Sequence, residues 1–401
     1  MRIAHVITRL ILGGAQENTV LTCEDLSRDF GDDVLLVTGP TQGPEGSLLE
    51  RAKRSGIRIV EIPSLVRPIH PVRDARTYFE LRRAIRRFQP EVVHTHSAKG
   101  GFLGRLAAHA ERVPAIVHTV HGAPFHPYQS RGARALFRAC ERHAAKRCDA
   151  LISVADAMTQ LLVNAKVAPR DKFVTIYSGI EVEPFLAAGE LRASARKRLA
   201  YRDDEIVVGV VARLFHLKGH EYVVRAAEQV IAVAPQVRFL FVGDGIVAGS
   251  IRAQIESRGL SSYFKFAGLV PPEEIPAHIS AMDLVVHASL REGLARVLPQ
   301  ALLAGKPVVS YDIDGAREVV IANETGFLLP PQSIEPLTSA IVTLARDPAL
   351  SRRLGEEGRR RFTDQFRHET MSRQIRALYE RVLATKKSRE REIVEAAASN
   401  R

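Results

Sequence analysis

The feature that most constrains this chain is an alternation. Short runs rich in Val, Ile and Leu are separated by segments whose apolar residues recur at helical spacing. A parallel sheet requires this, because each parallel strand must be followed by a crossover that carries the chain back to the starting edge. Runs at 3–7, 34–37, 58–62, 92–94, 115–119, 150–154 and 173–176 predict strands, with helices at 16–28, 76–88, 101–110 and 131–147. After VTIYSGIEVEPF the pattern restarts at IVVGVVARL, with strands expected at 206–211, 238–242, 264–267, 284–287 and 307–310. The scheme is used twice, and 401 residues suit two domains of roughly 100–200 residues each. The expected fold class is α/β, two facing Rossmann-like doubly wound domains with a cleft between them. Ligands of such sheets sit at the carboxyl ends of the strands. The expected domains are 1–183 and 184–366. A helix at 367–385 completes the first, and a charged tail at 386–401 is expected to be disordered.

Composition narrows the class. Apolar content of 46% with 25% charged residues is that of a folded globular chain. No apolar run reaches the ~18–20 residues needed to span a bilayer. The opening MRIAHVITRL breaks at Gly13-Gly14 and lacks a signal peptide's apolar core and cleavage site. Cys23, Cys140 and Cys148 lack metal-ligand spacing and suit reduced thiols, so a cytoplasmic location is expected. The net charge is +12, yet residues 51–180 alone hold 23 Lys and Arg against 9 Asp and Glu. Arg82, Arg83, Arg86 and Arg87 fall on one side of a predicted helix, and Arg131, Arg134, Arg138, Arg142, Lys146 and Arg147 populate another. Such a face fits an anionic membrane surface or an anionic acceptor. Nucleic acid is not expected as a partner, since no zinc finger, RNP motif or interleaved aromatics accompany the charge.

The chemistry concentrates in REGLARVLPQALLAGKPVVSYDIDGAREVV, residues 291–320. A strand ends at Ala288-Ser289, a loop presents Glu292-Gly293, and a helix is expected from about Ala295. Its first N–H groups suit a phosphate. Gly293 allows close backbone approach, and the Glu292 carboxylate accepts hydrogen bonds from two sugar hydroxyls. In VGVVARLFHLKGHEYVV, Arg213 and Lys218 share one strand-to-helix loop. Two cations there suit a pyrophosphate, the Arg bidentately and the Lys as a point charge. Gly243, Gly245 and Gly249 of FLFVGDGIVAGS do not keep dinucleotide-fingerprint spacing and predict a backbone turn. Gly13-Gly14 predicts another close-approach loop between the first strand and helix. AIVHTVHGAPFH ends a strand with His118 and His121. VVHTHSAKGG ends another with His94 and His96, an i, i+2 pair with no third metal ligand evident.

The 291–320 stretch resembles the nucleotide-sugar motif of glycosyltransferase family 4, enzymes of the GT-B fold. That motif runs Glu-Gly-aromatic-Gly with a second Glu eight positions after the first. Glu292 and Gly293 match, Leu294 and Ala295 replace the aromatic and the second Gly, and Gln300 replaces the second Glu, the usual ribose ligand. The resemblance continues through Ala304-Gly305-Lys306-Pro307 and Asp314-Gly315…Glu318. It implies that Arg213 and Lys218 neutralise a departing nucleotide diphosphate, that Gly243 and Gly245 line the donor site, and that Val270 lies by the base. It sets Gly13 and Gly14 against the donor phosphates, and Lys99-Gly100-Gly101 reads as lining the acceptor side. His121, with His118 as the alternative, meets the donor sugar.

The implied activity is a retaining transfer from a nucleotide diphosphate-sugar, such as a UDP-sugar, to a hydroxyl acceptor that can be lipid-linked. The setting is polysaccharide, lipopolysaccharide or glycolipid synthesis at the inner face of the membrane. No cofactor and no metal are expected. Asp312-Ile313-Asp314 spells a metal-binding D-x-D, but it follows a site whose phosphate charge Arg213 and Lys218 already match. Rivals on the same fold are a nucleotide-sugar epimerase and a non-catalytic nucleotide-sugar-binding protein.

Overall fold

In the computed structural model, which describes residues 1–41 and 46–399, the β-branched runs pair into two parallel sheets. Unit one, Met1–Ile180 with the chain from His368 on, holds β1 (Arg2–Ile7), β2 (Asp33–Thr38), β3 (Arg58–Glu61), β4 (Val92–His96), β5 (Ala115–Val120), β6 (Ala150–Ser153) and β7 (Phe173–Thr175). Their order across the sheet is β3-β2-β1-β4-β5-β6-β7. Unit two, Glu181–Arg367, holds β8 (Ile206–Val211), β9 (Val237–Val242), β10 (Phe264–Gly268), β11 (Leu284–His287), β12 (Val308–Tyr311) and β13 (Gly326–Leu329). Its order is β10-β9-β8-β11-β12-β13. Each sheet grows outward in two directions from its first strand. The reversal leaves a switch point between β1 and β4 in unit one and between β8 and β11 in unit two. Loops leaving two such strands diverge and open a crevice at their carboxyl ends.

Helices cover both faces of a sheet of this kind, so its strands are buried throughout and read as near-continuous apolar runs. All six residues of β5 and all five of β4 are buried. In unit two, Phe239 stacks on Phe264 with centroids 4.7 Å apart, and Phe241 meets Phe264 edge-on at 5.4 Å. Val223, Val224 and Val230 of the helix His220–Val233 close over them. In unit one the final helix, His368–Ser399, places Met371, Ile375, Leu378 and Tyr379 in the same core as Ile3, Val20 and Leu26. The spacing i, i+4, i+7, i+8 makes one stripe, and each fully buried side chain of this size is worth about 1.5–3 kcal/mol. Polar contacts fix the register. Buried Asp25 accepts hydrogen bonds from Ser372 Oγ at 2.7 Å and pairs with His368 Nδ1 at 2.8 Å, and Arg376 reaches Asp32 at 3.0 Å.

Segment 386–399 continues the helix to Ser399, and Lys386 lies 2.8 Å from Asp149. The segment contains no Gly or Pro, and its Glu, Arg and Ala residues propagate a helix already nucleated by the buried stripe. Asn400 and Arg401 lie outside the described residues. Strand β13 is an addition to the predicted set, because its four residues sit at the sheet edge beyond any second apolar run.

Candidate active site

At the switch point of unit two, glycines let the loops touch. Gly219 has φ +76°, and a Cβ there would lie 1.9 Å from the Ala288 carbonyl oxygen. Gly243 has φ +132°, and its Cβ would meet the Ala212 carbonyl oxygen at 2.2 Å. Both conformations and both contacts require Gly. Backbone bonds then stitch the rim together. Gly243 N–H donates to the Gly268 carbonyl at 2.8 Å, Leu214 N–H to Asp244 at 3.0 Å, Val247 N–H to Leu214 at 3.0 Å and Leu290 N–H to Leu217 at 2.8 Å. The Arg213 loop, the Gly243–Gly245 turn and the Glu292 loop are therefore one surface, with the segment leading to half-buried Val270 beside it.

Within it Lys218 Nζ bonds Glu292 Oε1 across the switch point. Ser289 Oγ donates to the same oxygen at 3.1 Å, and His287 Nε2 stands 3.7 Å from it. Burial alone would raise the Glu292 carboxyl. Lys218 and His287 outweigh that and hold it well below the usual carboxylate range. Glu292 is thus an acceptor only, with a cation at its side. Its backbone N–H donates to Asp314 Oδ2 at 2.6 Å, and Gly315 N–H donates to the Gly293 carbonyl at 3.2 Å. Asp314 is left-handed at φ +45°, a conformation short polar side chains tolerate best. Arg213 is exposed, its guanidinium carbon 4.9 Å from the Phe215 ring centroid. Leu294 and Gln300 are half-buried, and Ala295 is buried.

One expectation for the phosphate changes. The helix runs Val297–Leu303, starting two residues later than the sequence suggests. Leu298 N–H is already given to the Ala295 carbonyl, and Pro299 has no N–H. The helix end therefore offers few donors. The D-x-D carboxylates are engaged locally: Asp312 pairs with Arg317 at 2.7 Å, and Asp314 holds the Glu292 loop. His287, Ser289 and the positioning role of Asp314 escape a reading of the sequence alone. The available signal is a polar pair closing the apolar strand LVVH at its carboxyl end.

In unit one, Gly13 precedes the helix Gly14–Phe30, which opens after β1, and half-buried His121 follows β5. His118 is buried under the helix Ala98–Ala110. Its Nδ1 lies 2.9 Å from Thr95 Oγ1 and 3.0 Å from the Thr95 carbonyl, and a Cβ on Gly101 would strike its ring at 2.4 Å. Those contacts account for His118 as a packing residue and leave His121 as the ring at the carboxyl edge. Lys99 pairs with Asp74 at 2.5 Å, and a Cβ on Gly100 would lie 2.8 Å from the Thr8 nitrogen, so close packing explains that run. His94 and His96 acquire a third imidazole, His5, from β1. Sequence spacing could not show it, because β1 and β4 become neighbours only in the sheet.

Comparison with known families decides the class. The model described as glycosyl transferases group 1 matches residues 192–361, and that of Glycosyltransferase Family 4 matches residues 12–184. This chain is a family 4, group 1 glycosyltransferase. Among its relatives is the UDP-Gal:alpha-D-GlcNAc-diphosphoundecaprenol alpha-1,3-galactosyltransferase of Escherichia coli, 27% identical, with 88% of this chain and 89% of that one covered. Another is a GDP-mannose-dependent alpha-mannosyltransferase of Mycobacterium tuberculosis, 28% identical, covering 81% and 82%. The HepE protein of Anabaena, solved in complex with UDP and glucose, superposes with a TM-score of 0.80 at 22% identity, covering 95% of this chain and 99% of that one. At that identity the superposition establishes the GT-B fold alone. The two family models meet between residues 184 and 192, next to the division at Glu181. In this glycosyltransferase the Lys218–Glu292 pair thus lies in the group 1 half and His121 in the family 4 half.

Proposed function

We propose that this glycosyltransferase moves a sugar, with retention of anomeric configuration, from a nucleotide diphosphate-sugar held by unit two to a hydroxyl acceptor bound by unit one. The observation that carries the reading is the Lys218–Glu292 pair at the unit-two switch point, with exposed Arg213 in the same loop as Lys218. A carboxylate kept ionised is suited to sugar hydroxyls, and two cations beside it are suited to a diphosphate. The bond from the anomeric carbon to the phosphate oxygen breaks as the acceptor oxygen attacks from the same face. The acceptor's proton passes to the departing phosphate. Arg213 and Lys218 stabilise the charge that develops there, and electrostatic stabilisation of this kind lowers the barrier more than any other single effect.

Relatives whose names specify UDP-Gal and GDP-mannose as donors make a nucleotide diphosphate-sugar the class to test. The diphosphoundecaprenol in one name points the acceptor toward lipid-linked saccharides in glycan or glycolipid synthesis. No helix among the described residues is long and apolar enough to cross a membrane, and the proposed location is the cytoplasm with peripheral contact at the inner membrane face. A thermal-shift panel of UDP-, GDP- and ADP-sugars tests the donor, because a native-state ligand stabilises by RT ln(1 + [L]/Kd). One nucleotide class should raise Tm and also support acceptor-dependent turnover. Conversion of the donor to its epimer with no acceptor product would overturn the transferase reading of this site.

A further inference from the structure

Strand β11 runs Leu284, Val285, Val286 and then ends on His287, which stands directly across from Ser310 in the parallel register with β12. Both side chains are buried. A buried polar group is costly unless it finds a partner, so each nitrogen of the ring calls for an account. His287 Nδ1 lies 3.0 Å from Ser310 Oγ. Nε2 is buried with no hydrogen-bond partner and stands 3.7 Å from Glu292 Oε1. Closure by roughly 0.5 Å would bring that pair into N–H···O range.

The protons around the ring can be counted. Ser310 Oγ has one proton and two acceptors for it, His287 Nδ1 and the Tyr311 carbonyl at 2.9 Å. If Ser310 donates to Nδ1, the neutral ring carries its own proton on Nε2. If Ser310 donates to Tyr311, Nδ1 is protonated, and Nε2 is either protonated too or a bare lone pair facing Glu292. The bare lone pair would set two electron-rich atoms against each other, because Glu292 beside Lys218 is ionised. In a buried site that repulsion is poorly screened. Both remaining arrangements put a proton on Nε2.

The two oxygens of Glu292 are not equivalent either. Lys218 Nζ, Ser289 Oγ at 3.1 Å and His287 Nε2 all face Oε1, and no hydrogen bond reaches Oε2 from the described residues. We propose that His287, aligned by Ser310, is a positioning residue whose Nε2–H clamps Glu292 Oε1 and so presents Oε2 to a hydroxyl of the donor sugar. A carboxylate held at one oxygen keeps the other in a fixed direction, which lowers the ordering cost of binding. The sugar contact rests on the proposed donor role of Glu292; the clamp does not. Every group in the clamp belongs to unit two.

Imidazole ¹⁵N spectra and calorimetry on the full-length protein test the clamp. His287 should show a proton-bearing, pyrrole-like Nε2, and Glu292→Gln should shift that signal. Two amide substitutions separate the ring nitrogens, since Gln reaches the Nε2 position and Asn only the Nδ1 position. The binding probe is whichever of UDP-glucose, GDP-mannose and ADP-glucose raises the wild-type Tm, beside its bare nucleotide diphosphate. His287→Asn should bind that nucleotide-sugar roughly threefold to tenfold more weakly, the scale of one neutral hydrogen bond, with the bare nucleotide unchanged. His287→Gln should recover the loss. Should His287→Asn fail to fold, Ser310→Ala, which keeps the ring and removes its alignment, should show the same selective loss. A pyridine-like Nε2 in the wild type, or a His287 signal indifferent to Glu292→Gln, overturns the proposal. So does equal nucleotide-sugar affinity in the folded Asn and Gln variants when Glu292→Ala does lose affinity. Wild-type nucleotide-sugar affinity in Glu292→Ala alongside the expected spectra would reject the donor role of Glu292 and leave the clamp standing.

Discussion

Glu292 shows how one residue's neighbours set its chemistry. Lys218, Ser289 and His287 surround its Oε1, and its backbone is held by Asp314. Glu292→Ala should lower turnover by the equivalent of about 2–4 kcal/mol while weakening the bare nucleotide far less, because its proposed contacts are to the sugar. Arg213→Ala should weaken nucleotide binding as well, and calorimetry beside steady-state kinetics separates the two. A folded Glu292→Ala enzyme with wild-type turnover would remove Glu292 from the donor site. The carboxyl is held well below its ordinary 4.5. A depressed folded value means that the pair's contribution to stability is fully present above the unfolded value and is lost only as pH falls through the folded one. The difference in unfolding temperature between wild type and Glu292→Gln should therefore be flat from about pH 8 to about pH 5 and shrink at lower pH. Gln300 is half-buried on the helix Val297–Leu303. If it lies over the ribose, Gln300→Glu should keep or improve donor affinity. A fall in melting temperature with no change in donor affinity would place it in the core instead.

At the scale of the element, the helix Pro71–Phe88 is not the plain four-arginine patch that its spacing predicts. Leu81 and Ile85 are buried against the core. Arg82 and Arg86, however, both bond Glu111, at 2.6 Å and 2.8 Å, which neutralises part of the charge. Arg83 and Arg87 stay exposed, and beside them stand Val72, 74% exposed, and Phe79, 62% exposed, with Ile69 just before the helix at 68%. Val72 and Phe79 are seven residues apart and share a side with Arg83 and Arg87, an apolar wedge edged by cations. Vesicle co-sedimentation should show binding to anionic but not neutral lipid, weakening with salt at ~1 kcal/mol per cation. Phe79→Ser with Val72→Ser should reduce it without loss of turnover on a soluble acceptor. Equal recovery in the supernatant with both lipids at low salt would mark this side as solvated.

For the whole molecule, the proposed transfer assigns phosphate neutralisation to fixed cations, so activity should survive EDTA. Loss on chelation with recovery on Mn²⁺ or Mg²⁺ would return the role to Asp312 and Asp314. The alternation of apolar runs and helical segments determined by itself that the chain is α/β and doubled, because parallel strands buried on both faces leave a pattern that survives in one dimension. The Glu292-Gly293 loop and the Arg213…Lys218 loop were legible for a related reason: loops at strand carboxyl ends carry function, and each is a contiguous stretch. What the sequence could not show was which distant groups meet. Lys218 and Glu292 are 74 residues apart and bond only because β8 and β11 are neighbours at a switch point. His5 joins His96 across 91 residues for the same reason on β1 and β4. The final helix returns to unit one across the whole of unit two because its stripe at 371, 375, 378 and 379 has its apolar partners there. Periodicity is a local property of the chain, set by the geometry of each element. Partner choice depends on strand order, and strand order is decided only when the sheets assemble.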